Sequence, residues 1–440
     1  MRKRGQLSQF VLMGIVLILA ISVITYIRHE SIFFRPSVVL PAKVQPVAEF
    51  VENCVKDYGT EALELAGYQG GWVELPDYIN YNPSTYINYG GLKKPYWYYN
   101  GRVIAPTIEQ IENGLGNYLD KELPFCLNNL SVFENEFEVK IYDEPKTTVQ
   151  MGERAVIFNL EYPVRLTDKT NRTKTKILNF QSIVPIAFKE LYDFGKRILE
   201  MENKETFFEE ATIDLIGMNK DIPFTGLNFK CISGPMEWKV ADISREIRDS
   251  LTKDIHRIRI KNSDYVPFYD DEEIYEDIHE EFGGVDGKTK IIEENELPDY
   301  VPMDSYDYFH YFWDIGIEPS RFKVNFNYLP DYGIRLNVRP SEKGVMKSNV
   351  AKGTSYLNFL CLHVYHFSYD INYPVEVMLR DDESLDGQGY VLRYAFPVMI
   401  DHNVPNREKT SSSVFDAISS TRDYSVECED KEGDYTVIAN

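Results

Sequence analysis

One run rich in oxygen donors is Asp382-Glu383-Ser384-Leu385-Asp386-Gly387. Oxygens at positions one, three and five, then glycine at six, match the opening of a calcium loop, with Asp382, Ser384 and Asp386 as ligands. Position twelve, where such a loop takes a glutamate, is Arg393, so an EF-hand is excluded. Two readings stay open: a weak surface calcium site, and a β-turn between two strands. The acidic run Asp270-Asp271-Glu272-Glu273, with Glu276, Asp277, Glu280 and Glu281, invites the same choice between calcium and a solvated charge run. Cys361, His363 and His366 form a third group of metal-type ligands. In a strand, residues 361 and 363 share a face while 366 points to the other, a poor arrangement for one ion.

Covalent catalysis has no signature here. The chain contains no G-x-S-x-G, H-E-x-x-H, P-loop or G-x-G-x-x-G. A triad needs no fixed spacing, so an anchored hydrolase stays open as an alternative. The aromatic groups are more suggestive. Trp72, Tyr96, Trp97, Tyr98 and Tyr99 lie in a tyrosine-rich stretch, and Tyr306 to Trp313 form a second group. Tyr and Trp give large amphipathic contact area with few rotors, which suits a surface that meets a protein or a glycan. The other reading is that these rings cover the core of irregular segments.

Several elements would have to position these residues. Val47, Phe50, Val51, Cys54, Val55 and Tyr58 recur at helical spacing. Thr107 with Gln110 is a capping-box pattern and opens a second helix, which ends near Cys126. A cysteine near the core face of each helix predicts a Cys54–Cys126 disulfide; Cys231 and Cys361 are the weaker pair. From Glu134 to Pro185 the hydrophobic period becomes two, predicting antiparallel hairpins. Helices follow over about 186–203, from Thr206 with a second capping box at Glu209, and over about 239–256. Residues 320–401 read as many strands with short turns, a β-sandwich-like arrangement. The chain ends on Tyr435-Thr436-Val437-Ile438, a strand-like run with no evident partner. The fold class expected is therefore α+β. The expected divisions are 1–27 basic tip and anchor, 28–46 proline-containing spacer, 47–268 α+β body, 269–300 acidic loop, 301–402 β-sandwich-like domain and 403–440 polar tail.

Address is legible in composition. Phe10 to Ile27 carry no charge. Eighteen residues at about 1.5 Å each cross a hydrocarbon core, so residues 10–27 are expected to be a single membrane span. Bulky, charged residues follow it, so no A-x-A-like cleavage site is evident. Of the 440 residues, 43% are hydrophobic, enough for a packed core, and the formal net charge is −22. Since Arg2, Lys3 and Arg4 are the only charges in residues 1–27, the body is more acidic still. Such a body repels phosphate backbones, which excludes nucleic acid as the expected partner. Five widely spaced cysteines without a C-x-x-C pair read as long-range disulfides of an exported chain. Two sequons, at Asn129 and Asn171, agree with export. Together these give a cytoplasmic N-terminus and an extracellular body at the cell membrane.

The run Lys3-Arg4-Gly5-Gln6-Leu7-Ser8, directly before the apolar stretch, resembles an archaeal class III signal, the kind found on type IV pilin-like proteins. The resemblance implies cleavage between Gly5 and Gln6, with the helix kept. Many pilins carry glutamate where this chain has Phe10, a departure that bears on filament assembly. Residues 44–440 resemble a group of uncharacterised archaeal membrane-anchored proteins through Glu52-Asn53-Cys54-Val55, Tyr68-Gln69-Gly70-Gly71-Trp72 and Tyr365-His366-Phe367-Ser368-Tyr369-Asp370. The expectation is a non-enzymatic, membrane-anchored cell-surface protein with a binding, adhesion or envelope role and no cofactor. A minor pilin-like subunit is the alternative that the N-terminus implies.

Overall fold

The computed structural model describes residues 40–89, 91–232, 234–266, 312–350 and 362–407, with the short strands 425–427 and 436–438. The anchor, the Gly5–Gln6 site, the acidic loop and Cys361 lie outside the described residues. Among the described residues no helix is long and apolar enough to cross a membrane. The chain divides into two compact units, Met1–Phe50 and Val51–Asn440. The boundary falls inside the first helix, α1 (Gln45–Tyr68), so most of that helix belongs to the second unit.

The remaining helices are α2 (Ile108–Leu127), α3 (Phe188–Glu205), α4 (Phe207–Met218) and α5 (Val240–Asp254). The first strands are β1 (Tyr86–Tyr89), β2 (Leu92–Pro95), β3 (Phe137–Ile141), β4 (Lys146–Met151), β5 (Val156–Asp168) and β6 (Lys174–Val184). Next come β7 (Thr225–Phe229), β8 (Glu237–Lys239), β9 (Lys323–Tyr328), β10 (Arg335–Arg339), β11 (Val345–Lys347) and β12 (Asn349–Val350). The chain then adds β13 (Leu362–His366), β14 (Ser368–Asp381), β15 (Tyr390–Asp401), β16 (Val404–Pro405), β17 (Ser425–Glu427) and β18 (Thr436–Ile438).

The first sheet is built around β5. Its length lets β6 pair along one edge while β3 and β4 share the other. The α2 helix opens on the expected capping box: Gln110 N–H donates to Thr107 Oγ1, and Thr107 N–H donates to Gln110 Oε1. It buries Ile111, Leu115, Leu119, Leu123 and Leu127 on one stripe. Its acids meet the sheet rim. The Thr147 and Met151 N–H groups of β4 donate to Asp120 and Glu112, at 2.6 and 2.8 Å. These two carboxylates occupy donors that an open sheet edge would leave unpaired.

The second sheet is built on β14 and β15, paired from Ile371↔Ile400 to Asp381↔Tyr390. Strands β9 and β10 share the far edge of β14, and β16 pairs with β15. Alternation along β14 separates two faces. Tyr369, Ile371, Tyr373, Val375, Val377 and Leu379 are all buried on one, while Asp370, Asn372, Glu376 and Arg380 lie on the other.

Helices cover the apolar face. Phe208 of α4 meets Phe326 and Phe396 with ring centroids 4.9 and 5.2 Å apart. Gly195 of α3 lies so close to the sheet that a Cβ there would stand 2.9 Å from Leu379 and 3.1 Å from Tyr394. The long strands within residues 320–401 therefore form one sheet roofed by α3 and α4, where the sequence suggests a sandwich. The period-two pattern marks an apolar face but not what covers it, and these amphipathic helices occur more than a hundred residues earlier. Two further pairings, β7 with β13 and β8 with β11, join the expected 47–268 and 301–402 regions within one unit. The terminal strand-like run also has a partner, since β18 pairs antiparallel with β17.

Candidate functional site

Cys54 and Cys126 form a disulfide between α1 and α2, with their Cα atoms 6.0 Å apart. Closing a loop of 72 residues stabilises the fold by about 4 kcal/mol in the chain-entropy account. Cys231 is also disulfide-bonded, and its partner is not among the described residues.

Part of the aromatic stretch is placed by an edge contact. Trp97 N–H donates to the Ala395 carbonyl at 2.9 Å, so residues 95–97 run beside β15. Successive side chains then point to opposite faces of the sheet. Trp97 enters the apolar side, stacks on Tyr394 at 3.8 Å and donates its indole N–H to the Gly70 carbonyl. Tyr96 enters the polar side and packs with Ile87, Ala395 and Met399. Tyr98 donates its hydroxyl to the Arg407 carbonyl at 2.8 Å. Trp72, Tyr96, Trp97 and Tyr98 are buried and Tyr99 is half-buried, so this group lines the core and offers no broad contact face. Among the described side chains of the stretch, Tyr68, Tyr78 and Tyr81 are exposed.

Two buried charge networks escaped sequence reading. On the polar face of the second sheet, Lys94 of β2 pairs with Glu376 at 2.5 Å, and Arg393 reaches the same carboxylate at 3.1 Å. Burial alone would raise the Glu376 carboxyl; the two cations hold it below the usual range. The second network joins Glu202 of α3, Glu209 of α4 and Arg407. The Arg407 guanidinium donates to Glu202 at 3.2 Å and to Glu209 at 3.1 Å. Burial first, and then the charge of Glu209, push the Glu202 carboxyl well above its ordinary range. The capping box expected at Thr206 and Glu209 does not form. Thr206 has a left-handed backbone and no side-chain cap, and Glu209 accepts instead from Arg407 and from Met399 N–H.

Two of the three candidate ligands of the calcium-like loop, Asp382 and Ser384, have protein partners. Asp382 binds Lys323 at 2.9 Å and also Arg380, and these two cations lower its carboxyl. Ser384 donates to Asp381 at 2.7 Å and accepts from Ala187 N–H, just before α3. Asp386 lies in the turn with φ 55°. His363 is buried between Ser348 and the Lys230 carbonyl, whereas His366 is exposed and paired with Thr225. Asp370, Asp401 and His402 come close enough to share an ion. Arg339 already sits there, bonded to Asp370 and to His402 Nε2. Asn129 follows α2 and Asn171 lies in the β5–β6 hairpin; both are exposed. An open groove of about 300 Å³ lies between α4 and α5, lined by residues such as Leu215, Met218, Glu246 and Arg257.

These observations define a mixed α+β protein with two antiparallel sheets, a disulfide-joined helix pair and buried ion networks. No protein family, no curated protein and no solved structure matches the chain.

Proposed function

We propose that the chain is a membrane-anchored cell-surface protein whose oxidised α+β body serves binding or adhesion rather than catalysis. The Cys54–Cys126 disulfide carries the reading. Disulfides persist in oxidising surroundings, and thiol-reducing systems keep cytosolic cysteines open. The disulfide-bonded Cys231 and the exposed sequon asparagines fit the same address. The apolar run at residues 10–27 supplies the anchor in this reading, and the Lys3-Arg4-Gly5-Gln6 run its processing.

The test is intact-mass analysis of protein extracted from its native membrane, before and after reduction. The expected result is a chain lacking Met1–Gly5 that gains about two hydrogens for each disulfide reduced. A full-length chain with every thiol free would overturn both the address and the processing.

A further inference from the structure

The outer face of the first sheet carries an unexpected row of like charges. Lys140 of β3 pairs directly with Arg165 of β5, and Arg165 pairs directly with Lys176 of β6. Three cations thus stand side by side on three adjacent strands. At about 4.8 Å per strand step, the row spans roughly 10 Å. All three surround one ring: Lys140 Nζ, the Arg165 guanidinium and Lys176 Nζ lie 5.3, 5.1 and 5.4 Å from the Tyr142 centroid. Lys174 extends the row along β6. Lys140, Lys174 and Lys176 are exposed, Arg165 is half-buried and Tyr142 is 38% exposed.

Like charges directly opposite one another destabilise a sheet. The remedy used elsewhere in this protein is a carboxylate, as at Glu376 and Asp382. Among the described residues none of these three cations makes an ion pair. Glu138 is an exposed carboxylate on the row's own face of β3, yet it makes no ion pair with the row. In a chain with 69 acidic and 47 basic residues, carboxylates to quench the row are plentiful. The next residue along this face of β6, Leu178, is exposed as well.

We propose that this row is a docking site for an acidic polysaccharide, whose successive carboxylate or sulfate groups supply the counter-charges that the sheet lacks. An open sheet face suits an extended, hydrated chain better than a small ion, which needs enclosure. A bilayer would present a charged plane to the whole negative body, whereas a single extended chain meets the row alone, and at the cell-surface address proposed above such acidic chains are polysaccharide. The assignment rests on the reading of the body as a binding surface and names its ligand class.

The test uses the full-length chain in neutral detergent with polygalacturonate, dextran sulfate and uncharged dextran. The expected result is salt-sensitive binding of at least one charged polymer and none of dextran. A variant combining Lys140→Gln, Arg165→Gln and Lys176→Gln should lose binding at least tenfold while melting no lower than the parent. The exposed single changes Lys140→Gln and Lys176→Gln should each weaken binding without altering the fold, and Glu138→Gln should tighten it. Binding by neither charged polymer, or undiminished binding by the single and triple variants, would overturn the proposal. Equal affinity for a single-stranded oligonucleotide or for anionic phospholipid vesicles would overturn the polysaccharide class. Binding is read in vitro, so it stands or falls separately from the mass measurement, which tests the address.

Discussion

Glu202 and Glu209 share one guanidinium inside the fold, with both carboxylates fully buried. The Glu202 carboxyl is raised, so the native state holds its proton more tightly than the unfolded chain does. Stability from this group is fully present below the unfolded value and is lost as pH rises through the folded one. Glu202→Gln keeps a neutral side chain at every pH. It should therefore flatten the alkaline fall of the urea midpoint, scanned from about pH 5 to about pH 9. A variant that falls as steeply as the parent would show that other groups control the slope. Glu209 also shows why such sites hide. Thr206-x-x-Glu209 reads as a cap, and nothing local in the sequence says that Arg407, almost two hundred residues later, claims the acid. A second expectation concerns Cys231. Phe229 pairs with Leu362 across β7 and β13, so residue 231 leaves the strand pair where residue 361 enters it. Non-reducing peptide mapping should find Cys231 joined to Cys361; a Cys231–Cys428 peptide would refute this.

At the scale of elements, much was legible. The Thr107 capping box, the apolar stripes of α2 and α5 and the alternation of β3 each follow from local pattern, and each is observed. The aromatic stretch was harder. Because tyrosine tolerates water, the sequence leaves its rings open to two readings, a contact surface and a cover for the core. The burial of Tyr96 and Trp97 follows from an edge contact beside β15, which no local pattern encodes. The seam between α3 and the second sheet is equally non-local. Gly195→Ala would place its Cβ about 2.9 Å from Leu379, tighter than packed carbons allow. The expected cost is about 1–3 kcal/mol of overpacking, read as a lower midpoint in denaturant. An unchanged midpoint would mean that α3 can shift away from the sheet at little cost.

For the whole molecule, the sequence separates an α+β body from a strand-rich C-terminal region, while the structure closes them into one unit over Val51–Asn440. The second sheet has its apolar face under α3 and α4, which belong to the earlier region. A fragment of residues 312–407 should therefore aggregate or remain unfolded, with no cooperative melt. The intact chain should melt its two regions together. A well-folded fragment, checked by near-ultraviolet circular dichroism, would restore the separate-domain reading.

The packing of Phe208 against Phe396 also sets a schedule. A chain synthesised at about 5–20 residues per second needs roughly 10–40 s to make the stretch between them. Throughout that interval α4 exists without its sheet, and its apolar stripe is open to any neighbour. An exported chain would meet that delay away from the cytosolic chaperones. At the exported address proposed above, a holdase on the far side of the membrane, or translocation slow enough to keep the nascent body apart from its copies, would be a condition of its assembly.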